Sequence, residues 1–416
     1  MEKQKNIPQL RFPDFESEWK TKKYGDIYSF RNTNSFSRED LNYDDGAVKN
    51  IHYGDIHTKF ATLFDIKKEL VPFINPEIEL KRIIEDNYCK EGDLIVADAS
   101  EDYADVGKCI EIVNLNGEKV LAGLHTILAR PDLYIMAIGF SGYLMKSQKI
   151  RLQIKIYAQG SKVYSISPKQ ISAIEITIPE IVEQTRIASF LTVIDKKITE
   201  LKQKKSLLEQ YKEGIMYKLF SQELRFKDDD GKEFPKWEKK KLRDLVEFRN
   251  GKAHEQEISE GGQYIVINSK FISTKGEVKK YSDAQICPLE YGEIVMVMSD
   301  VPNGKALAKC FYIDENDKYT LNQRICGLKA KGVDARFLFY ILNRNSYYIK
   351  FDSGVGQTNL TKDEVLNCPL LVPASDTEQT KIANFLSAID DKINHTQIQI
   401  QQTEQYKKGL LQQMFC

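Results

Sequence analysis

Glu183-Gln184-Thr185-Arg186-Ile187-Ala188 returns as Glu378-Gln379-Thr380-Lys381-Ile382-Ala383. Phe190-Leu191 and Ile194-Asp195 return as Phe385-Leu386 and Ile389-Asp390, and Glu209-Gln210-Tyr211-Lys212 returns as Glu404-Gln405-Tyr406-Lys407. The spacing is 195 residues from Glu183/Glu378 through Phe220/Phe415, and roughly 17 of about 38 aligned positions are identical. A repeat this long is a structural unit used twice. It predicts a pseudo-symmetric molecule whose function needs two of something.

Both copies have a helical period. Ile187, Phe190, Leu191, Ile194, Ile198, Leu201, Leu208, Tyr211, Ile215 and Leu219 recur at steps of mainly three and four. Ile382, Phe385, Leu386, Ile389, Ile393, Ile400, Tyr406, Leu410 and Met414 do the same in the second copy. This is a heptad-like seam, interrupted by Lys205, Thr396 and Thr403. About 38 residues rising ~1.5 Å each give a rod of roughly 57 Å. The pattern also suits an amphipathic helix packed on its own domain. Two sister helices of this length in one chain are natural partners, antiparallel if an approximate two-fold axis relates the halves.

The repeat extends outward from the helices. Trp19-Lys20, Asp26, Phe30, Arg31 and Asn32 match Trp237-Glu238, Asp244, Phe248, Arg249 and Asn250, and Leu10-Arg11-Phe12 echoes Leu224-Arg225-Phe226. Gly92-Asp93-Leu94-Ile95-Val96 and Gly292-Glu293-Ile294-Val295-Met296 each read as a strand after a turn glycine. Each half is therefore a mixed module of short strands and a few helices, ending in Pro179 or Pro373 before its long helix. Asp228-Asp229-Asp230-Gly231 marks the turn-rich boundary between the halves.

Composition bounds the function. A chain of 416 residues, 42% hydrophobic and 29% charged, has room for two to four cores. Sixty basic and sixty acidic residues cancel. That argues against a simple polycation, but charge distribution matters more than its sum for nucleic-acid binding. Seven cysteines without a C-x-x-C pair suit a reducing, cytoplasmic setting and offer no metal site. The first residues have no apolar segment of signal-peptide type, and the run from about Tyr134 to Met145 is too short to span a membrane.

Catalytic signatures are missing. There is no phosphate loop, no H-E-x-x-H, no nucleotide glycine fingerprint and no Asn-Pro-Pro-Tyr-like motif for methyl transfer to amino nitrogens. Of the five histidines only His52 and His57 sit close in sequence, on a segment that reads as loop or surface. Asp65 with Glu79-Leu80-Lys81 faintly resembles a nuclease carboxylate cluster, but Pro72 and Pro76 interrupt the stretch, which also reads as a charged surface loop.

A duplicated β-rich reader with a separator suits a long repetitive ligand, and DNA is the natural candidate. Two readers so held could contact half-sites about one helical turn apart, ~34–36 Å, or a little more. Candidate contacts lie in polar, glycine-bearing loops. In the second half these are Ser299-Asp300-Val301-Pro302-Asn303-Gly304-Lys305 and Gly354-Val355-Gly356-Gln357-Thr358-Asn359. In the first they are Asp98-Ala99-Ser100-Glu101-Asp102-Tyr103 with Lys108, and Gln159-Gly160-Ser161-Lys162. Arg31-Asn32 and Arg249-Asn250 are the best matched polar pairs. The residues singled out are Arg31, Asn32, Lys108, Lys162, Arg249, Asn250, Asn303, Lys305, Gln357 and Asn359, whose types suit phosphate, guanine or adenine. Each could equally be a solvated loop residue or turn-former, and the matched Arg-Asn pairs could be structural anchors.

The order Leu-Arg-Phe, Trp-Lys, a variable module, Ile-Pro or Val-Pro, then Glu-Gln-Thr-x-Ile-Ala-x-Phe-Leu and a long helix resembles the specificity (S) subunit of type I restriction–modification systems. The resemblance covers essentially the whole chain. It implies an α+β fold with two pseudo-symmetric mixed α/β target recognition domains, residues 1–180 and 222–375. These would be separated by two long antiparallel coiled-coil-like helices, residues 181–221 and 376–416. Ile187, Phe190, Leu191, Ile194, Ile198 and Leu201 would face Ile382, Phe385, Leu386, Ile389, Ile393 and Ile400 or a partner subunit. The resemblance implies that each domain reads one half of a bipartite site on double-stranded DNA. It also implies that the helix pair sets the spacer and docks two DNA adenine methyltransferase (M) subunits, joined by restriction (R) subunits. The chain would have no catalytic site or cofactor of its own, with S-adenosylmethionine and ATP on the partners, and no membrane role. Two other readings stay open: a two-module assembly scaffold indifferent to DNA sequence, and a stand-alone nuclease using Asp65, Glu79 and Lys81.

Overall fold

The structure, a computed structural model, describes residues 6–301, 304–352 and 354–416. The chain forms two compact units. Unit 1 comprises residues 1–202 and 398–416, and unit 2 comprises residues 203–397. The division falls inside the two long helices, Ile181–Phe220 and Asp376–Gln413, and not at their ends.

The central sheet of unit 1 has five strands in the order Tyr28–Arg31, Thr126–Pro131, Leu94–Ala97, Cys109–Asn114, Leu63–Asp65. All neighbours are antiparallel except the last pair. Leu94–Ala97 is buried along its whole length, as expected of a short continuous apolar run covered on both faces. Gly92 precedes it with φ +94°, a left-handed conformation that a side chain would strain. A second sheet pairs Val120–Ala122 in parallel with Lys49–Ile51. Lys20–Lys23 closes the module against Glu175–Ile178, immediately before the long helix.

Unit 2 repeats this plan with four central strands, Val246–Asn250, Ile325–Ala330, Ile294–Val297 and Cys310–Tyr312. Tyr319–Leu321 runs parallel to Tyr264–Ile267, and Glu238–Lys241 closes against Pro369–Val372.

Each unit's core takes in part of both helices. In unit 1, Ile187, Leu191, Ile194 and Ile198 are buried with Leu410, Met414 and Phe415 in one cluster that includes Trp19, Tyr143 and Ile176. In unit 2, Ile382, Leu386, Ile389 and Ile393 are buried with Leu219, against which Leu208 and Ile215 pack. Each fully buried aliphatic side chain contributes roughly 1.5–3 kcal/mol, so this apolar stripe does more than helix propensity to hold the helices. The polar interruptions satisfy themselves: Thr396 and Thr403 donate to the carbonyls of Lys392 and Gln399 at 2.8 and 2.6 Å. The first helix ends at Phe220, and Gln222, with a φ of +63°, turns the chain out while the Leu224 N–H bonds back to Lys218 C=O at 3.0 Å.

Candidate nucleic-acid interface

The repeated motifs are the pins that hold each module to its helices. Arg11 grips Glu183 through Nε and Nη2, both at 2.8 Å, and Trp19 Nε1 donates to the same carboxylate at 3.3 Å. Arg225 grips Glu378 in the same two-pronged way, at 3.1 and 2.8 Å. The bond to Glu183 holds the Arg11 guanidinium above its ordinary pKa. Phe12 packs edge-on against Phe190 at 5.7 Å, and Phe226 against Phe385 at 5.6 Å. The buried amide of Gln184 accepts from Ala137 N–H and donates to the carbonyls of Ile135 and Pro179. Gln379 accepts from Asp334 N–H and donates to Pro373 C=O.

A second pin joins the helices inside each unit. Asp195 accepts from Tyr143 Oη at 2.8 Å and is ion-paired to Lys407, whose ammonium lies over the Tyr143 ring. Asp390 accepts from Tyr340 Oη at 2.8 Å and from Lys212 at 2.6 Å, with Lys212 over the Tyr340 ring. The lysine of each Glu-Gln-Tyr-Lys thus meets the aspartate of the other repeat. In unit 1, Lys202 also pairs with Glu404 at 2.6 Å.

With the frame held this way, each module presents the same turn. In unit 1, Gly123-Leu124-His125 joins Val120–Ala122 to Thr126–Pro131, and in unit 2 Asn322-Gln323-Arg324 joins Tyr319–Leu321 to Ile325–Ala330. The last residue is left-handed in both, His125 at φ +53° and Arg324 at +66°. The backbone bonds also match. Asp98 N–H donates to His125 C=O at 3.1 Å, and Met298 N–H to Arg324 C=O at 3.0 Å. Ile166 N–H donates to Asp98 C=O at 2.9 Å, and Leu360 N–H to Met298 C=O at 2.7 Å.

The side chains around the two turns differ. In unit 1, His125 Nδ1 lies 3.3 Å from Asp98 and its ring packs edge-on against Tyr53 at 5.3 Å. Burial pushes the Asp98 carboxyl above its usual range. His57 Nε2 lies 3.0 Å from Ala99 O, and Lys108 Nζ donates to His57 O at 2.8 Å. In unit 2 the turn borders a polar cavity of about 460 Å³ lined by Glu255, Asn268, Ser299, Asp300, Arg324 and Gln357 among others. Gln357 Nε2 donates to Ser299 Oγ at 2.6 Å and Ser299 Oγ to Asn359 Oδ1 at 2.6 Å.

Among the sequence candidates, Lys108 belongs to the unit 1 cluster, and Gln357 and Asn359 to the unit 2 cluster. Lys162 and Lys305 are exposed on loops, as are Asn32 and Asn250 at the strand ends, whereas Asn303 lies outside the described residues. Arg31 and Arg249 are engaged elsewhere: Arg31 pairs with Asp86 at 2.5 Å, and Arg249 with Glu293 beside the turn glycine Gly292. These contacts favour the anchoring alternative for the matched arginines. Ile187, Leu191, Ile194 and Ile198 are buried in the core of unit 1 and Ile382, Leu386, Ile389 and Ile393 in that of unit 2, Leu201 and Ile400 are also buried, and Phe190 and Phe385 are partly buried. Asp65 pairs with Lys68 and accepts from Asn114, while Glu79 pairs with Lys81 in a separate exposed turn. Among the described residues no group of three or more His, Cys, Asp or Glu is placed to hold a metal, and no helix is long and apolar enough to cross a membrane. All seven cysteines are unpaired.

Sequence reasoning missed the turn ending in His125 and Arg324, because Gly-Leu-His and Asn-Gln-Arg share no residue. It also missed the pin roles of Arg11 and Lys407, although the constant 195-residue spacing of Ile-Asp and Glu-Gln-Tyr-Lys held the clue.

Comparison with known proteins agrees with this duplicated plan. The chain is 26% identical over 294 residues to the type I restriction enzyme MjaVIII specificity subunit of Methanocaldococcus jannaschii, spanning 65% of this chain and 68% of that one. It is 24% identical over 430 residues to the putative MjaX specificity subunit of the same organism, spanning 98% and 95%. In fold it is similar to the crystal structure of a type I restriction–modification S subunit from M. genitalium, with a TM-score of 0.60 at 14% identity over 99% of both chains. A chain solved for complex assembly and conformational transition of the type I R-M system gives 0.53 at 13% identity, over 94% and 96%. The description "type I restriction modification DNA specificity domain" matches residues 16–210 and 235–404, most of both halves, and the chain belongs to that family.

Proposed function

We propose that each unit reads one half of a bipartite DNA site, and that the two long helices, as an antiparallel coiled-coil-like pair, set the spacer between the halves. The observation that carries this reading is a matched scaffold bearing unmatched surface residues. The pins Arg11–Glu183 and Arg225–Glu378 are equivalent, whereas the side chains around the turns at His125 and Arg324 are not. Readers of two different short sequences need this combination.

The helix pair also docks two adenine methyltransferase subunits, and restriction subunits join that core. These isoleucines and leucines are buried, most of them in the core of one unit or the other, so docking falls to exposed positions. Tyr211 and Tyr406, identical in the repeat, are 51% and 57% exposed and suit this role. S-adenosylmethionine and ATP belong to the partner subunits, and this chain supplies base readout without bond chemistry.

Single-molecule sequencing of methylated adenines in a host carrying this chain with its methyltransferase tests the reading. The expected product is one bipartite, asymmetric motif. Inserting residues between Leu201 and Leu208 should lengthen the unread spacer and leave both half-sites intact. Altered half-sites with an unchanged spacer, or methylation without sequence preference, would refute it. Methylation or cleavage by this chain alone would also do so.

A further inference from the structure

The turn that ends in His125 or Arg324 is shared by both units in backbone and in neither unit by sequence. Its last residue adopts positive φ in both, although neither is glycine or asparagine. For L-residues that conformation is strained, and such strain persists where the surrounding structure over-determines it, which is often at binding sites. The matched bonds from Asp98 N–H and Met298 N–H to the turn carbonyls do the over-determining. The effect is to fix where one side chain per unit leaves the surface.

What leaves the surface in unit 2 is an exposed arginine. Arg11, Arg31, Arg38, Arg130, Arg225 and Arg249 each hold a carboxylate. Arg324 has no ion pair with any described residue, and it borders the polar cavity with Ser299, Asp300 and Gln357. A rigidly based, unpaired guanidinium beside hydrogen-bonding side chains can meet the O6 and N7 of guanine with two N–H groups, the commonest specific contact in the major groove. In unit 1 the same position offers an imidazole backed by Asp98 and Tyr53, which has a different reach and donor pattern.

We propose that this left-handed turn residue is the base-reading tip of each unit, and that Arg324 specifies a guanine in the half-site read by unit 2. The inference rests on the bipartite reading above and adds to it a residue and a base.

The test uses the chain assembled with its methyltransferase. Arg324→Gly removes the guanidinium and relaxes the backbone, so the variant should assemble and melt at the wild-type temperature or above it. Arg324→Asn, which also tolerates this conformation, serves as the second variant. Competition binding is measured against the wild-type site and against sites with each half-site base pair replaced in turn. Wild-type protein should discriminate by about 5–150-fold at one G·C pair of a single half-site, and both variants by less than about twofold at that pair alone. Discrimination retained at every pair overturns the assignment. Uniform weakening across all sequences, the signature of a phosphate contact, also overturns it. If the wild-type complex itself shows no sequence preference, the bipartite reading fails, and that result is distinct from either outcome for the variants.

Discussion

Replacing Arg11 with alanine should destabilise unit 1 selectively. The Glu183 side chain is 1% exposed and its arginine partner 10%. Removing the guanidinium strands a buried carboxylate with one remaining neutral donor, Trp19 Nε1 at 3.3 Å. Breaking a buried pair by deleting one partner costs about 3–5 kcal/mol. The surviving Trp19 bond and the solvent-facing edge of Arg11 place this case near the lower end, at about 3 kcal/mol. For a unit of roughly 220 residues, a shift of ~2–4 °C per kcal/mol gives a melting temperature lower by about 6–12 °C. The chain has two tryptophans, and the structure places Trp19 in unit 1 and Trp237 in unit 2. Trp19 fluorescence in a Trp237→Phe background therefore reports the affected unit, and Trp237 in a Trp19→Phe background serves as the control. A double variant, Arg11→Met with Glu183→Met, should recover at least half of the loss, because no charge is left buried. A loss below about 1 kcal/mol in the Trp19 signal, or an equal fall in the Trp237 signal, would refute the reasoning.

Two further outcomes follow from the same geometry. Residues 1–222 alone should self-associate, since Lys212 and Phe220 stand 195 residues before Lys407 and Phe415 and can take their places in a second copy. Analytical ultracentrifugation should find a dimer. Lys212→Glu should weaken it and Asp195→Lys in the same chain should restore it, whereas a wild-type monomer at micromolar concentration would count against the swapped pin. Glu111 is buried and accepts the N–H groups of Gly139 and Gly142 at 2.6 and 2.7 Å, with burial pushing its pKa up from 4.5 to about 7. A carboxyl raised on folding favours the folded state when protonated. Its contribution is therefore present below pH 4.5 and lost as pH rises towards 7, by at most about 1.4 kcal/mol per pH unit. Urea midpoints followed by Trp19 should fall between pH 5 and 7 in the wild type and flatten in Glu111→Gln. An unchanged slope in that variant would contradict the assignment.

The parts legible from sequence were those whose signal is local or repeated. The periods of Ile187–Leu219 and Ile382–Met414 announced the helices, and the turn glycines announced the strands Leu94–Ala97 and Ile294–Val297. What stayed hidden depends on partners far along the chain. In sequence Arg31 and Arg249 read either as DNA contacts or as structural anchors, and only the fold brings Asp86 and Glu293 beside them. The turn at His125 and Arg324 is encoded by the strands around it and by backbone bonds, which leave no trace in residue identity. Glu183 and Asp195 were visible as repeated letters, but only the fold reveals that one holds the module and the other holds the opposite helix.

The swapped helix ends have a consequence for how the molecule is made. Unit 2 is one continuous stretch of chain, whereas unit 1 needs residues 398–416 to bury Trp19, Tyr143 and Ile187. The half synthesised first is thus the half completed last. After Lys202 has emerged, roughly 200 further residues must follow, on the order of 10–40 s at 5–20 residues per second. Throughout that interval an apolar stripe of the first helix awaits its cover. A nascent chain in this condition is a natural client for chaperones. A frameshift within the codons for residues 398–416 would injure the amino-terminal unit and spare the one encoded beside it.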